Sequence, residues 1–202
     1  GQDFTEGSAA ALTGTTPEEA RQILNRLVDE HLVGVSFGSR YRLHDLLREY
    51  ARDLAHADGK ETCRQAVERL LEWYVAAADA AQQLLFPDRR VLAKDEPRVP
   101  HHVTFDDDDS AFRWLAAEHA NLLAAVTTAL EYELWQAGWK LPATLRHYFE
   151  RTCSFDDWLW AAEAGLTAAE RGDDLRGRAV SFSDLGAAHG QLGDLDRAIT
   201  LL

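Results

Sequence analysis

Several side-chain groups in this 202-residue chain have types and spacings that suggest chemistry. In RYRLHDLLREYARDLA, residues 40–55, the pair His44-Asp45 stands where a β-prone run meets an amphipathic helix. An imidazole donor there suits a phosphate, because exposed backbone N–H groups and the helix dipole both favour an anion at a helix N-terminus. The plainer alternative makes Asp45 an N-cap and His44 an ordinary strand end. Asp106 to Asp109 offer the oxygen ligands of hard cations, yet consecutive loop residues converge poorly on one ion. The same charges suit the start of a helix near Ser110. His101-His102 lacks a third ligand at a zinc spacing, so no metal site is expected. Cys63 and Cys153, in apparent helices and outside any metal spacing, read as two reduced thiols.

Catalytic patterns are missing: the chain holds no G-x-S-x-G, H-E-x-x-H, C-x-x-C or G-x-G-x-x-G, and no P-loop. No enzyme active site is expected in these residues. The formal charge of −13 opposes phosphate contact, and residues 1–57 carry six Arg against nine acidic residues. Arg40 and Arg42 alone make a thin footprint on DNA, so direct DNA contact is not expected. No run of roughly 18 apolar residues is present to span a bilayer, and a cytoplasmic location is expected. The absence of Met and a last segment, DLDRAITLL, without a stop signal suggest a piece of a longer protein.

The elements that must position these groups follow from periodicity. After a short helix at EGSAAALTG, Thr16 and Glu19 form a capping box with Pro17 at the first helical position. Ala20, Ile23, Leu24, Leu27, Val28 and Leu32 then recur on one face, predicting a helix over 17–32. Two β-prone runs around Gly38-Ser39 predict a hairpin over 33–44, and Leu46, Leu47, Tyr50, Ala51 and Leu54 mark the next helix. That order is the outline of a winged-helix domain at 1–57. A long connecting helix is predicted at 58–86 and an exposed linker at 87–109, where three of the five prolines fall.

From 110 to 202 the pattern is helical throughout. Trp158 and Ala161 match Leu195 and Ala198 at an offset of 37, which suggests helical hairpins that repeat. AVSFSDLGAAHGQLGDLDRAITLL looks like a tetratricopeptide repeat through Phe182, Leu185, Gly186, Gly193, Leu195, Ala198 and Leu202, with His189 in an aromatic's place and the last hairpin incomplete. The fold class expected is therefore mainly α, a winged-helix module with one β-hairpin followed by tetratricopeptide-like hairpins. The first helix of each pair should line a concave face, offering Arg146, Glu150 and Ser183 to a partner.

These strings, with FRWLAAEHANLLAAV between them, resemble the region that follows the nucleotide-binding module in actinobacterial STAND-type regulators of the antibiotic-regulatory family, relatives of apoptosome proteins. The resemblance covers nearly the whole chain. It implies that His44 stands in that family's Met-His-Asp motif, here with Leu43 in the place of Met, and touches the β-phosphate of ADP in the resting state. It further implies that ATP, ADP and Mg belong to a parent protein whose P-loop lies upstream, so that no cofactor is expected in these residues. The partners implied are that upstream module, a protein or peptide on the repeats, favoured by net acidity to be basic, and further copies in an oligomerising active form. A protein-interaction scaffold with no nucleotide role is the rival expectation, and a DNA-binding repressor the third.

Overall fold

Helix α1, Glu6–Thr13, starts from Thr5, whose hydroxyl accepts the Ser8 N–H while the Ser8 hydroxyl accepts the Thr5 N–H. The same reciprocal cap, from Thr16 and Glu19, starts α2, Pro17–Asp29. In this computed structural model, which describes residues 3–36, 40–88, 92, 101 and 103–201, α2 ends before the expected position 32. His31 turns left-handed at φ 59, and the Leu32 N–H bonds back to the Leu27 carbonyl, which closes the helix without a glycine.

Strands β1, Val33–Ser36, and β2, Arg40–Leu43, pair antiparallel with Val33 opposite Leu43 and Ser36 opposite Arg40. The turn expected at Gly38-Ser39 lies outside the described residues. Phe4 adds a bridge that the sequence did not announce, exchanging two backbone bonds with Tyr41 at 2.9 and 2.8 Å. Leu24, Val33 and Tyr41 form the buried centre here, covered by Phe4, Leu27, Val28 and Leu43. Helix α3, Asp45–Ala57, follows directly, and α4 runs over Lys60–Leu85.

The chain divides into two compact units, Gly1–Trp73 with Pro97–Val103, and Tyr74–Glu96 with Thr104–Leu202. The division falls between Trp73 and Tyr74, inside α4 and so within the segment expected as a long helix at 58–86. Residues of α4 make contacts in each unit. In the first unit Arg69 donates to the Leu12 carbonyl at 2.9 Å and the Trp73 indole to the His101 carbonyl at 3.3 Å. In the second, the Tyr74 hydroxyl donates to the buried Glu118 carboxylate at 3.0 Å. Of the expected linker 87–109, only 87, 88, 92, 101 and 103–109 are described, and Leu92 joins the second unit's core beside Trp139 and Ala168.

The second unit continues with α5, Asp108–Glu131, then α6, Trp135–Thr152, α7, Phe155–Arg171, α8, Leu175–Gln191, and α9, Leu195–Leu201. Asp107 caps α5 by accepting the Ser110 N–H at 2.8 Å, and that bond holds its carboxyl below the usual range. The acidic run at 106–109 thus serves a helix start. Pro142 lies inside α6 rather than at its beginning. Each helix packs on its neighbours in sequence, and α5 also meets α7 while α6 meets α8, which makes two layers.

The repeat unit is set by the turns. Glu133, Cys153, Asp173 and Gly193 all have positive φ and follow one another at steps of 20 residues. At each, the next N–H reaches five residues back, Leu134 to Ala129, Ser154 to Phe149, Asp174 to Ala169 and Asp194 to His189, all at 2.8 to 3.0 Å. A hairpin therefore repeats every 40 residues, and the offset of 37 between Trp158 and Leu195 is corrected to 40, with Phe155 equivalent to Leu195. Cys153 sits in such a turn and not within a helix, exposed and free, while Cys63 donates to the Ala55 carbonyl. Small residues set how closely the layers approach. A Cβ on Gly138 would stand 2.7 Å from that of Ala168, and one on Gly177 would stand 2.8 Å from the Trp139 ring.

Candidate functional site

In the first unit, β2 hands over to α3 at His44. The His44 carbonyl accepts the Arg48 N–H at 2.9 Å, so His44 itself occupies the cap position and Asp45 is already inside the first turn. This shifts the expected cap by one residue. The Asp45 carboxylate, largely exposed, lies 3.5 Å from Arg48 and still complements the helix dipole. Gly34, Arg42, His44 and Asp45 line an open cleft of about 310 Å³. Gly34 pairs with Arg42 across the hairpin. Arg42 and His44 bring two exposed donors to the same cleft. Arg40 does not join them, being tied to Asp3 at 3.0 Å.

Beside the cleft, the apolar stripe that made α3 recognisable is uncovered: Leu46, Tyr50 and Leu54 are 86%, 61% and 51% exposed. Replacing Leu46 by Asn should change the stability of this chain by no more than about 0.5 kcal/mol, as for surface positions in general. Thermal denaturation checks this, and a loss of about 2 kcal/mol would mean that the stripe is covered.

In the second unit, the structure brings the three expected partner contacts together between α6 and α8. Arg146 donates through Nη1 to Ser183 at 3.5 Å and to Asp184 at 3.0 Å, and Gln191 donates to Glu150 at 3.5 Å. His147 lies 3.2 Å from Glu150 and against the Phe86 ring. Arg146 also lies over the Trp158 ring at 5.8 Å. These groups are thus engaged in bridging two helices of the array.

Asp184 is the residue that sequence reasoning missed. It is only 3% exposed, and burial pushes its carboxyl up to about 7 against the opposing pull of the Arg146 guanidinium. A signal was present: Ser181, Asp184, Leu185 and Ala188 form the buried stripe of α8, and a carboxylate on such a stripe demands a partner. The indole N–H of Trp158 and the Nε of Arg146 meet no acceptor among the described residues. Equally unannounced is His119 of α5, which bridges Asp157 of α7 at 2.9 Å and Tyr148 of α6 at 3.3 Å. No three His, Cys, Asp or Glu among the described residues converge as a metal site would require, and His102 lies outside them. No helix among those residues is long and apolar enough to cross a membrane.

Known proteins place this arrangement in context. The chain is 32% identical over 195 residues, 96% of its length, to the regulatory protein AfsR of Streptomyces griseus. It is 34% identical over 131 residues, 62% of its length, to the AfsR regulatory protein of Streptomyces coelicolor. It spans 20% of the first relative and 13% of the second. No protein-family profile and no solved structure gives a match. The chain is therefore similar to one portion of much longer actinobacterial regulatory proteins.

Proposed function

We propose that this chain is the regulatory arm of a larger, cytoplasmic, signal-transducing P-loop NTPase that controls transcription. In this reading the first unit carries a winged-helix module that holds the ADP-bound resting state, and the helical array is a sensor for a protein or peptide. The observation that carries it is the likeness of nearly the whole chain to a fifth of an actinobacterial regulatory protein. Cleft chemistry supports it, since the Arg42 guanidinium and the His44 imidazole are donors suited to phosphate oxygens. The uncovered face of Leu46, Tyr50 and Leu54 is an apolar surface against which an upstream nucleotide-binding module can close.

His44 then donates to the β-phosphate of ADP, while the P-loop that holds nucleotide and Mg belongs to the upstream module. A partner on the array shifts the balance toward an open, ATP-bound, oligomerising form only by binding that form more tightly. The array is read as a lengthened tetratricopeptide type, with 40-residue hairpins in place of roughly 34. Catalysis and DNA contact are left to other parts of the parent protein, because Arg40 is neutralised by Asp3 and the surrounding charge is acidic.

Nucleotide released from the purified full-length protein and separated chromatographically tests the reading, wild type beside His44→Ala. The wild type should carry ADP and the variant should lose it or hold ATP. The same nucleotide in both, or none in either, removes the lock and leaves a protein-interaction scaffold.

A further inference from the structure

The helical array holds a second surface, formed in the other layer by α5 and α7. Thr127, Leu130 and Glu131 of α5 and Trp160, Glu163, Ala164 and Thr167 of α7 line an open groove of about 360 Å³. On α7 these positions follow helical spacing, so they share one face. Trp160 is 40% exposed, whereas Trp139 and Trp158 are buried.

Three other indoles of this unit are matched with cations. Lys140 lies 5.8 Å from the Trp139 ring, Arg146 5.8 Å from Trp158 and Arg171 5.7 Å from Trp135. Trp160 has no such cation among the described residues, nor do the exposed Glu131 and Glu163 carboxylates have a salt-bridge partner there. The hydroxyl protons of Thr127 and Thr167 are spent on the Leu123 and Glu163 carbonyls, at 3.4 and 3.0 Å. What the groove presents is an aromatic face among acceptors.

An occupant that satisfies both features must be planar, cationic and rich in donors. Guanidinium is that group: it stacks on an indole and bonds carboxylates through a fixed fork, whereas an ammonium is a compact, strongly hydrated point charge. We infer that the α5–α7 groove is a docking site for an arginine-bearing segment of a partner protein, the side chain lying on Trp160 between Glu131 and Glu163. This rests on the reading of the array as a partner-binding sensor and names the chemistry of that partner. Its test needs no nucleotide, so it can fail while the lock at His44 stands, or the reverse.

The experiment is a calorimetric titration of the 202-residue chain with tetra-arginine, tetra-lysine and tetra-glutamate peptides at low salt. A parallel spectrum of the chain labelled with ¹⁵N at tryptophan follows the six indole N–H signals. Tetra-arginine should bind at least tenfold more tightly than tetra-lysine, tetra-glutamate should not bind, and the Trp160 signal should move most. Trp160→Leu should weaken binding about three- to fivefold, the scale of an exposed cation–π contact. Glu131→Gln with Glu163→Gln should weaken it at least tenfold with the circular dichroism spectrum unchanged. Equal affinity in wild type and variants would reduce the effect to diffuse attraction by an acidic surface and overturn the proposal. So would tetra-lysine binding as tightly, no binding at all, or a dimer in sedimentation that Trp160→Leu converts to monomer, since the occupant would then be a second copy.

Discussion

Arg146→Ala should destabilise the chain by about 3 kcal/mol at pH 8 but only about 1 kcal/mol at pH 5. Breaking a buried ion pair by removing one partner is costly because it strands the other charge. Asp184 is that other charge, and its carboxyl stands at about 7 in the folded chain, raised by burial above the roughly 3.9 of an unfolded aspartate. The folded state therefore binds this proton more tightly than the unfolded one. The stability contributed by the proton is complete below about pH 4 and is lost as pH rises through 7. At pH 5 the carboxyl is protonated with or without Arg146, so the variant gives up a hydrogen bond and some packing on Trp158. At pH 8 it must bury a bare carboxylate or hold a proton against the solution. Urea denaturation at the two pH values checks this, with Asp184→Asn as the reference in which the difference between them should vanish. An equal loss at both would show that Asp184 does not titrate in this window.

Trp158→Ala should cost about 3 to 5 kcal/mol, and Trp158→Phe should cost far less. The indole is 1% exposed, so truncation opens a large cavity under Arg146 where α6 and α7 meet. Phenylalanine keeps most of the apolar volume and also removes an N–H that meets no acceptor among the described residues. The expected order in thermal denaturation is wild type, then Trp158→Phe close behind, then Trp158→Ala far below. With total stability typically about 5 to 15 kcal/mol, such a loss removes a large fraction of the folded margin. Equal losses in both variants would show that an unseen acceptor, such as a buried water, satisfies the indole.

The candidate sites were legible to different depths. His44 stands out in the sequence because a strand end, an imidazole and a helix start lie within a few residues, and the structure adds that Arg42, two positions earlier, lines the same cleft. Periodicity puts Arg146, Glu150 and Ser183 on first helices of hairpins, and in the structure Arg146 bonds Ser183 and Glu150 bonds Gln191 across α6 and α8. That they bridge those helices was not legible, because Arg146 and Asp184 are 38 residues apart. The groove at Trp160 was equally hidden, since nothing near that residue in the chain announces Glu131.

By itself the sequence determined what depends on residues within about one helical turn of each other. The caps at Thr16 and Asp107, the two strands of the hairpin and the helical segments are such features, because a capping bond or a face is completed inside four residues. It also determined, through helical periodicity, that α3 has an apolar stripe. Only the tertiary structure decided that this stripe stays uncovered, since periodicity states which residues share a face and not what lies against it. The 20-residue step of the turns, the sharing of α4 between two units and the pairing of Asp184 with Arg146 were decided there as well. Each rests on contacts between segments distant in the chain, where packing distance and burial select the partner.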